Sequence, residues 1–68
     1  MTITVSEDLN ASPRDQYRFC AIVIGDTDPE RGGFGATERA ALVMLARMSG
    51  DCASHFLKNV TIERISVR

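Results

Sequence analysis

Apolar positions fall into two rhythms along the chain, one fitting strands and one fitting a helix. Thr2-Ile3-Thr4-Val5-Ser6 alternates polar and apolar residues, as a strand with one buried face does. From Glu7 to Gln16 the chain collects turn formers and breakers, namely Asp8, Asn10, Ser12, Pro13 and Asp15. Tyr17-Arg18-Phe19-Cys20-Ala21-Ile22-Val23-Ile24 is rich in β-branched and aromatic residues and apolar on both faces after Arg18. This predicts a central strand. Gly25 opens a loop of turn formers that runs through Asp26, Asp28, Pro29, Gly32, Gly33 and Gly35. The final strand, Val60 to Arg68, changes apolar phase between Ile62 and Ile65, which predicts a β-bulge near Glu63-Arg64.

The helix is predicted between Thr37, a good N-cap followed by Glu38 at the positive end of the dipole, and Gly50, a good C′ residue. Its middle, Ala40 to Ala46, is an unbroken apolar run, whereas a one-sided helix alternates every three or four residues. At about 100° per residue, Ala41, Met44, Leu45 and Met48 gather on one side and should face the sheet. Leu42 lies on the flank of that stripe. Val43 falls nearly opposite, one turn from both Arg39 and Arg47. Asp51 to Lys58 has the composition of a short second helix. The expected fold is α+β, a single domain over residues 1–68. A three-stranded sheet in the order β-β-α-β carries one main helix on one face, with its first two strands antiparallel and its other face open.

Composition narrows the function more than it defines it. A chain of 68 residues buries only about 60% of its unfolded surface, so its core needs help from a disulfide, a metal or a partner. The amino-terminal residues lack a signal-peptide pattern, which makes the cytoplasm the expected compartment and reduced thiols the expected state of Cys20 and Cys52. No apolar run approaches the roughly 18 residues of a membrane span. A formal net charge of −1 supplies no global field for nucleic acid or an acidic membrane.

Local motifs offer chemistry and then withhold it. Arg31-Gly32-Gly33-Phe34-Gly35-Ala36-Thr37 precedes a helix, as phosphate-binding loops do, yet lacks the Gly-Lys-Ser/Thr of a P-loop and carries Glu38 where a dinucleotide turn needs glycine. Asp26-x-Asp28-x-Glu30 starts like a calcium loop, but Gly32 and Glu38 each stand one position late. Cys52 and His55 are three apart, too few for a zinc site without further ligands and without the orienting group of a nucleophile pair. The expected arrangement is cysteines packed inside with His55 at the surface. No catalytic residue, cofactor or metal site is assigned, and the expectation is a protein without enzymatic activity.

The chain's size, its β-β-α-β order and its helix opening Ala36-Thr37-Glu38-Arg39-Ala40-Ala41 resemble small single-domain proteins of phages and mobile elements, including anti-CRISPR inhibitors. That resemblance implies stoichiometric blocking of a host protein or ribonucleoprotein, such as a CRISPR effector complex. Ala21-Ile22-Val23-Ile24-Gly25-Asp26, Gly32-Gly33-Phe34 and the Thr37-Glu38 helix start are also similar to the start of HicB-type antitoxins. That family places a further strand between the position of Phe34 and the helix, and no strand is read there in this chain. The expected activity is therefore protein binding. Its contact residues are Arg39, Val43 and Arg47 on the helix, with Phe34 and the acidic Asp26-Asp28-Glu30 loop as a second edge. A second copy of the chain and a foreign protein both meet the need for a partner, and the sequence leaves both open. The alternative is a small nucleic-acid-binding or antitoxin-like accessory protein using Arg39, Arg47, Arg64 and Arg68.

Overall fold

Alternation in Thr2–Ser6 becomes strand β1, Thr2–Asp8, with Ile3 and Val5 turned inward and buried. A computed structural model describes residues 1–25 and 32–67. The acidic loop residues Asp26, Asp28 and Glu30, and the terminal Arg68, lie outside the described residues. Strand β2, Phe19–Val23, runs antiparallel to β1, pairing Ile3 with Val23 and Val5 with Ala21. A short strand β3, Gly33–Gly35, adds to the far side of β2, and strand β4, Thr61–Val67, lies parallel to β1. The sheet order is β3-β2-β1-β4, so β2 is internal, as its two apolar faces predict.

Two expectations are corrected here. The sheet is mixed and has four strands, not three, because Gly33-Phe34-Gly35 pairs with β2 although its glycines read as turn formers. The β4–β1 register runs without interruption from Thr61 to Val67, so there is no bulge at Glu63-Arg64. The phase slip has another cause: Ile62 faces the helix while Ile65 and Val67 face away, and β4 is apolar on both sides.

Helix α1, Glu38–Met48, starts and ends where its flanking residues demand. The Thr37 hydroxyl oxygen accepts the Ala40 N–H at 3.1 Å. Gly50 has φ +78, and the N–H groups of Gly50 and Asp51 reach back to the carbonyls of Arg47 and Ala46, each at 3.0 Å. This is a Schellman ending, which favours glycine because a Cβ is strained at positive φ. A second helix, α2, Ala53–Phe56, follows directly. None of these helices is long and apolar enough to cross a membrane.

α1 buries Ala41 and Leu45 as expected, but the rest of its buried stripe differs. Ala41, Leu42, Leu45 and Ala46 are buried, whereas Met48 is about half exposed. The helix is rolled so that Leu42 and Ala46 are buried, while Met44 is half-buried and Met48 turns outward. Phe56 and Leu57 pack against the core cluster that includes Leu42, giving that flank a cover that helical periodicity alone does not show. The opposite flank sits directly on β3. A Cβ at Gly33 would stand 2.1 Å from the Ala41 carbonyl oxygen and 2.5 Å from the Leu45 nitrogen. The glycines of this stretch therefore serve close helix–strand packing, with no need of a phosphate.

Candidate interaction surface

Register sorts every strand residue onto one of two sheet faces, since paired residues share a face. Ile3, Val5, Phe19, Ala21, Val23, Ile62 and Arg64 share the helix-covered side. Thr4, Ser6, Cys20, Ile22, Phe34, Glu63, Ile65 and Val67 share the other, which no element covers among the described residues. One row across this open face reads Phe34, Cys20, Ser6, Ile65. Tyr17 leans against the β3 end, its ring centroid 5.2 Å from that of Phe34.

The open face is conspicuously apolar. Tyr17, Ile22, Ile24, Phe34, Ile65 and Val67 are between 38% and 60% exposed. Isolated exposed apolar side chains are ordinary, but Ile22, Phe34, Ile65 and Val67 are grouped on one side of one sheet. Thr4 and Ser6 lie between them on β1, and Glu63 shares the face beside Thr4. Such a grouping is what partner-binding surfaces present.

The β1–β2 connection is fastened where it reaches this surface. Asp8 accepts the Asn10 N–H at 2.9 Å, and Asp15 accepts the Tyr17 N–H at 2.8 Å, the local turn-making bonds that favour Asp here. Arg18 ties the connection to the sheet, donating to the Ala11 carbonyl at 2.6 Å and to Glu7 at 2.7 Å.

Of the residues expected on the helix, Arg39 and Val43 line a groove between α1 and α2. Arg39 and Arg47 are exposed, as expected. Val43 is half-buried and, with Arg39, Leu42, Ala53, Leu57 and Ile62, lines a groove of about 430 Å³. The α2 segment gives Val43 a neighbour, so it is not a bare ridge between two arginines. The rim of this groove carries an ion pair: Arg64 donates to both carboxylate oxygens of Glu38, at 2.6 and 3.2 Å. Glu38 thereby holds the Arg64 guanidinium above its usual pKa and keeps it turned toward α1. Of the expected contact residues that lie among the described residues, the structure places only Phe34 on the open face. Ile22, Ile65, Val67 and Tyr17 are additions that the hydropathy pattern alone did not single out.

Cysteine placement corrects a further expectation. Cys20 is half-buried on the open face and burial raises its pKa, but Cys52 is exposed, at the N-cap of α2. The Ser54 hydroxyl, 3.6 Å from its sulfur, and the His55 backbone N–H lower the Cys52 pKa. His55 is at the surface, and its Nδ1 lies 2.6 Å from the Asp51 carboxylate. No group of three potential metal ligands is found among the described residues.

Asp51 raises the His55 pKa by hydrogen bond and charge, and His55 lowers that of Asp51. A raised histidine contributes stability below its ordinary value of about 6.5, and that contribution fades as pH rises through the raised value. The lowered carboxyl contributes above its own ordinary value and loses that contribution as pH falls through its depressed one. The expected NMR titration midpoint of His55 is therefore above about 6.5, returning toward it in Asp51→Asn. An identical midpoint in both proteins would show that the pair does not form.

The architecture is thus that of an α+β domain whose mixed sheet is covered on one side and apolar on the other. No protein family, curated protein or solved structure was found to match the chain.

Proposed function

We propose that this protein is a non-enzymatic protein-binding module that presents its open sheet face to a larger partner. The observation that carries the reading is the grouping of Ile22, Phe34, Ile65 and Val67 on one uncovered face. Burying such a face gains about 25 cal/mol per Å² of apolar area, offset by the cost of association. A small domain of this kind suits stoichiometric blocking of a host protein or ribonucleoprotein, the role that the resemblance to phage inhibitors implies. Arg39 and Arg47 stand on the opposite side of the domain, where they offer a polar second contact rather than an anchor.

The second reading is a nucleic-acid-binding or antitoxin-like accessory protein. The observation favouring it is the exposure of Arg39 and Arg47 on α1; the strand that HicB-type antitoxins place between Phe34 and the helix is not supplied by β3, which itself contains Phe34. In this reading Arg39 and Arg47 meet phosphate, while Arg64 is already held by Glu38.

Salt separates the two readings. Tagged protein is used to capture partners from the native cell lysate after nuclease treatment, across a range of salt concentrations. Retention of a protein partner from about 50 to 200 mM salt is expected, because an apolar surface carries the contact. Loss on nuclease treatment, or a decline of about tenfold in affinity over that range, as two phosphate contacts would give, would replace the protein-binding reading with phosphate recognition.

A further inference from the structure

The outer edge of β4 is the longest open edge of the sheet, seven residues against three in β3. Thr61 donates its N–H to the Met1 carbonyl at 3.0 Å, and the Val67 carbonyl accepts from Leu9 at 2.8 Å. In a parallel pair, alternate residues bond to the same neighbour, so Thr61, Glu63, Ile65 and Val67 direct their backbone groups to β1. Ile62, Arg64 and Ser66 direct theirs outward, where no strand lies among the described residues. Edges of this length are normally guarded by charged side chains. Here one such guard, Arg64, is drawn back onto Glu38.

We infer that two copies of this chain pair antiparallel through the outer edges of β4, joining their sheets into one. The sequence of β4 sets the register. A two-fold axis at Glu63 would oppose two glutamates, and one at Arg64 two arginines; like charges directly opposite destabilise a strand pair. Axes at Ile62 and at Ile65 oppose no like charges, but one at Ile62 pairs only Thr61 to Glu63 within β4, whereas one at Ile65 pairs Glu63 to Val67. The Ile65 axis sets Ile65 against the second copy's Ile65 as a non-hydrogen-bonded pair, about 4.5 Å apart at Cα. Arg64 and Ser66 then exchange backbone hydrogen bonds with the second copy's Ser66 and Arg64. Ile65 and Val67 of the two copies merge into one apolar strip across the joined open faces.

The core supplies the reason for a permanent partner. The buried apolar residues are Ile3, Val5, Ala21, Ala41, Leu42, Leu45 and Ala46, and nearly half of these are alanine. Chains below about 70–80 residues with so little core usually add a disulfide, a metal or a second subunit. Both cysteines are free, and no metal cluster is found among the described residues. A second copy is present wherever the chain is made, which a foreign strand is not. The inference concerns the β4 edge and is separate from the foreign-protein reading: Ile22, Phe34 and Tyr17, toward the other edge, remain accessible in the pair.

Sedimentation equilibrium on the full chain tests it. Wild type is expected at twice the chain mass. Ser66→Pro removes an outward N–H while leaving the β1 ladder intact, and is expected at half the wild-type mass with an unchanged circular dichroism spectrum. Ile65→Cys in a Cys52→Ser background is expected to form a covalent dimer under mild oxidation, because the paired Cα atoms fall within disulfide reach. A wild-type chain at single mass overturns the inference and leaves the edge to a foreign strand. A wild-type dimer whose Ile65→Cys variant does not cross-link, or a folded Ser66→Pro variant that stays dimeric, overturns edge pairing in favour of another surface.

Discussion

Gly33→Ala is expected to cost about 3 kcal/mol or more, a large share of the stability of a small domain. The added methyl would stand 2.1 Å from the Ala41 carbonyl oxygen, 2.5 Å from the Leu45 nitrogen and 2.9 Å from the Leu45 Cβ. Two of these three atoms are backbone, so no rotamer change relieves the contact. Relief requires lifting α1 from β3, which separates Ala41 and Leu45 from Ala21 beneath them. Gly25→Ala makes a fitting control. Gly25 has φ +90 with nothing within 4 Å of the added atom, so its cost is confined to backbone strain of about 1 kcal/mol. Urea unfolding of the three proteins checks this. Equal midpoints for Gly33→Ala and wild type would mean that the helix does not rest on β3.

Leu45→Ala is the second large effect, expected at about 2–5 kcal/mol. Leu45 has no exposed surface and packs among Ile3, Val5, Ala21, Ala41 and Leu42. The core around it holds several alanines, which have no long side chains to swing into the cavity. The loss should therefore fall toward the upper part of the range. For a domain of this size each kcal/mol lowers Tm by about 4–8 °C, so a drop of more than about 10 °C is expected by thermal unfolding. Met48→Ala, on the stripe that periodicity assigns to the core, should change Tm by only a few degrees, because Met48 is about half exposed. The reverse ranking would show that the helix is rolled the other way.

That contrast shows where the sequence was legible. Thr37 and Gly50 marked the ends of α1 because capping is local chemistry, decided within a turn of the cap. The roll of α1 was not legible, because it depends on Phe56 and Leu57 covering the Leu42 flank from a separate segment. Gly33-Phe34-Gly35 read as a loop because glycine is a turn signal locally, and its strand role appears only once α1 lies on it. The phase slip in β4 was visible, but Ile62 and Ile65 allow either a bulge or a strand apolar on both faces. Only the parallel register against β1 separates these. An open sheet face was expected from the small number of elements. Its composition was hidden, because Ile22, Phe34 and Ile65 come from three strands whose order no local pattern reveals. Arg39 and Arg47 are exposed as the helical pattern suggests, but Val43 between them looked bare because its neighbour α2 was expected only as a short appended turn.

The central claim is that the open sheet face, not the outer side of α1, carries the binding. Two variants test it most directly: Ile22→Asp with Phe34→Asp on the open face, and Val43→Asp beside the α1–α2 groove. Each places carboxylates on its surface, and circular dichroism establishes that each remains folded. Proteins captured from the native lysate are then quantified against wild type. The prediction is that the open-face variant loses the captured partner by at least about tenfold, a change of 1.4 kcal/mol, while Val43→Asp retains it. A folded open-face variant that captures the same partner as wild type, with Val43→Asp losing it, would contradict the account.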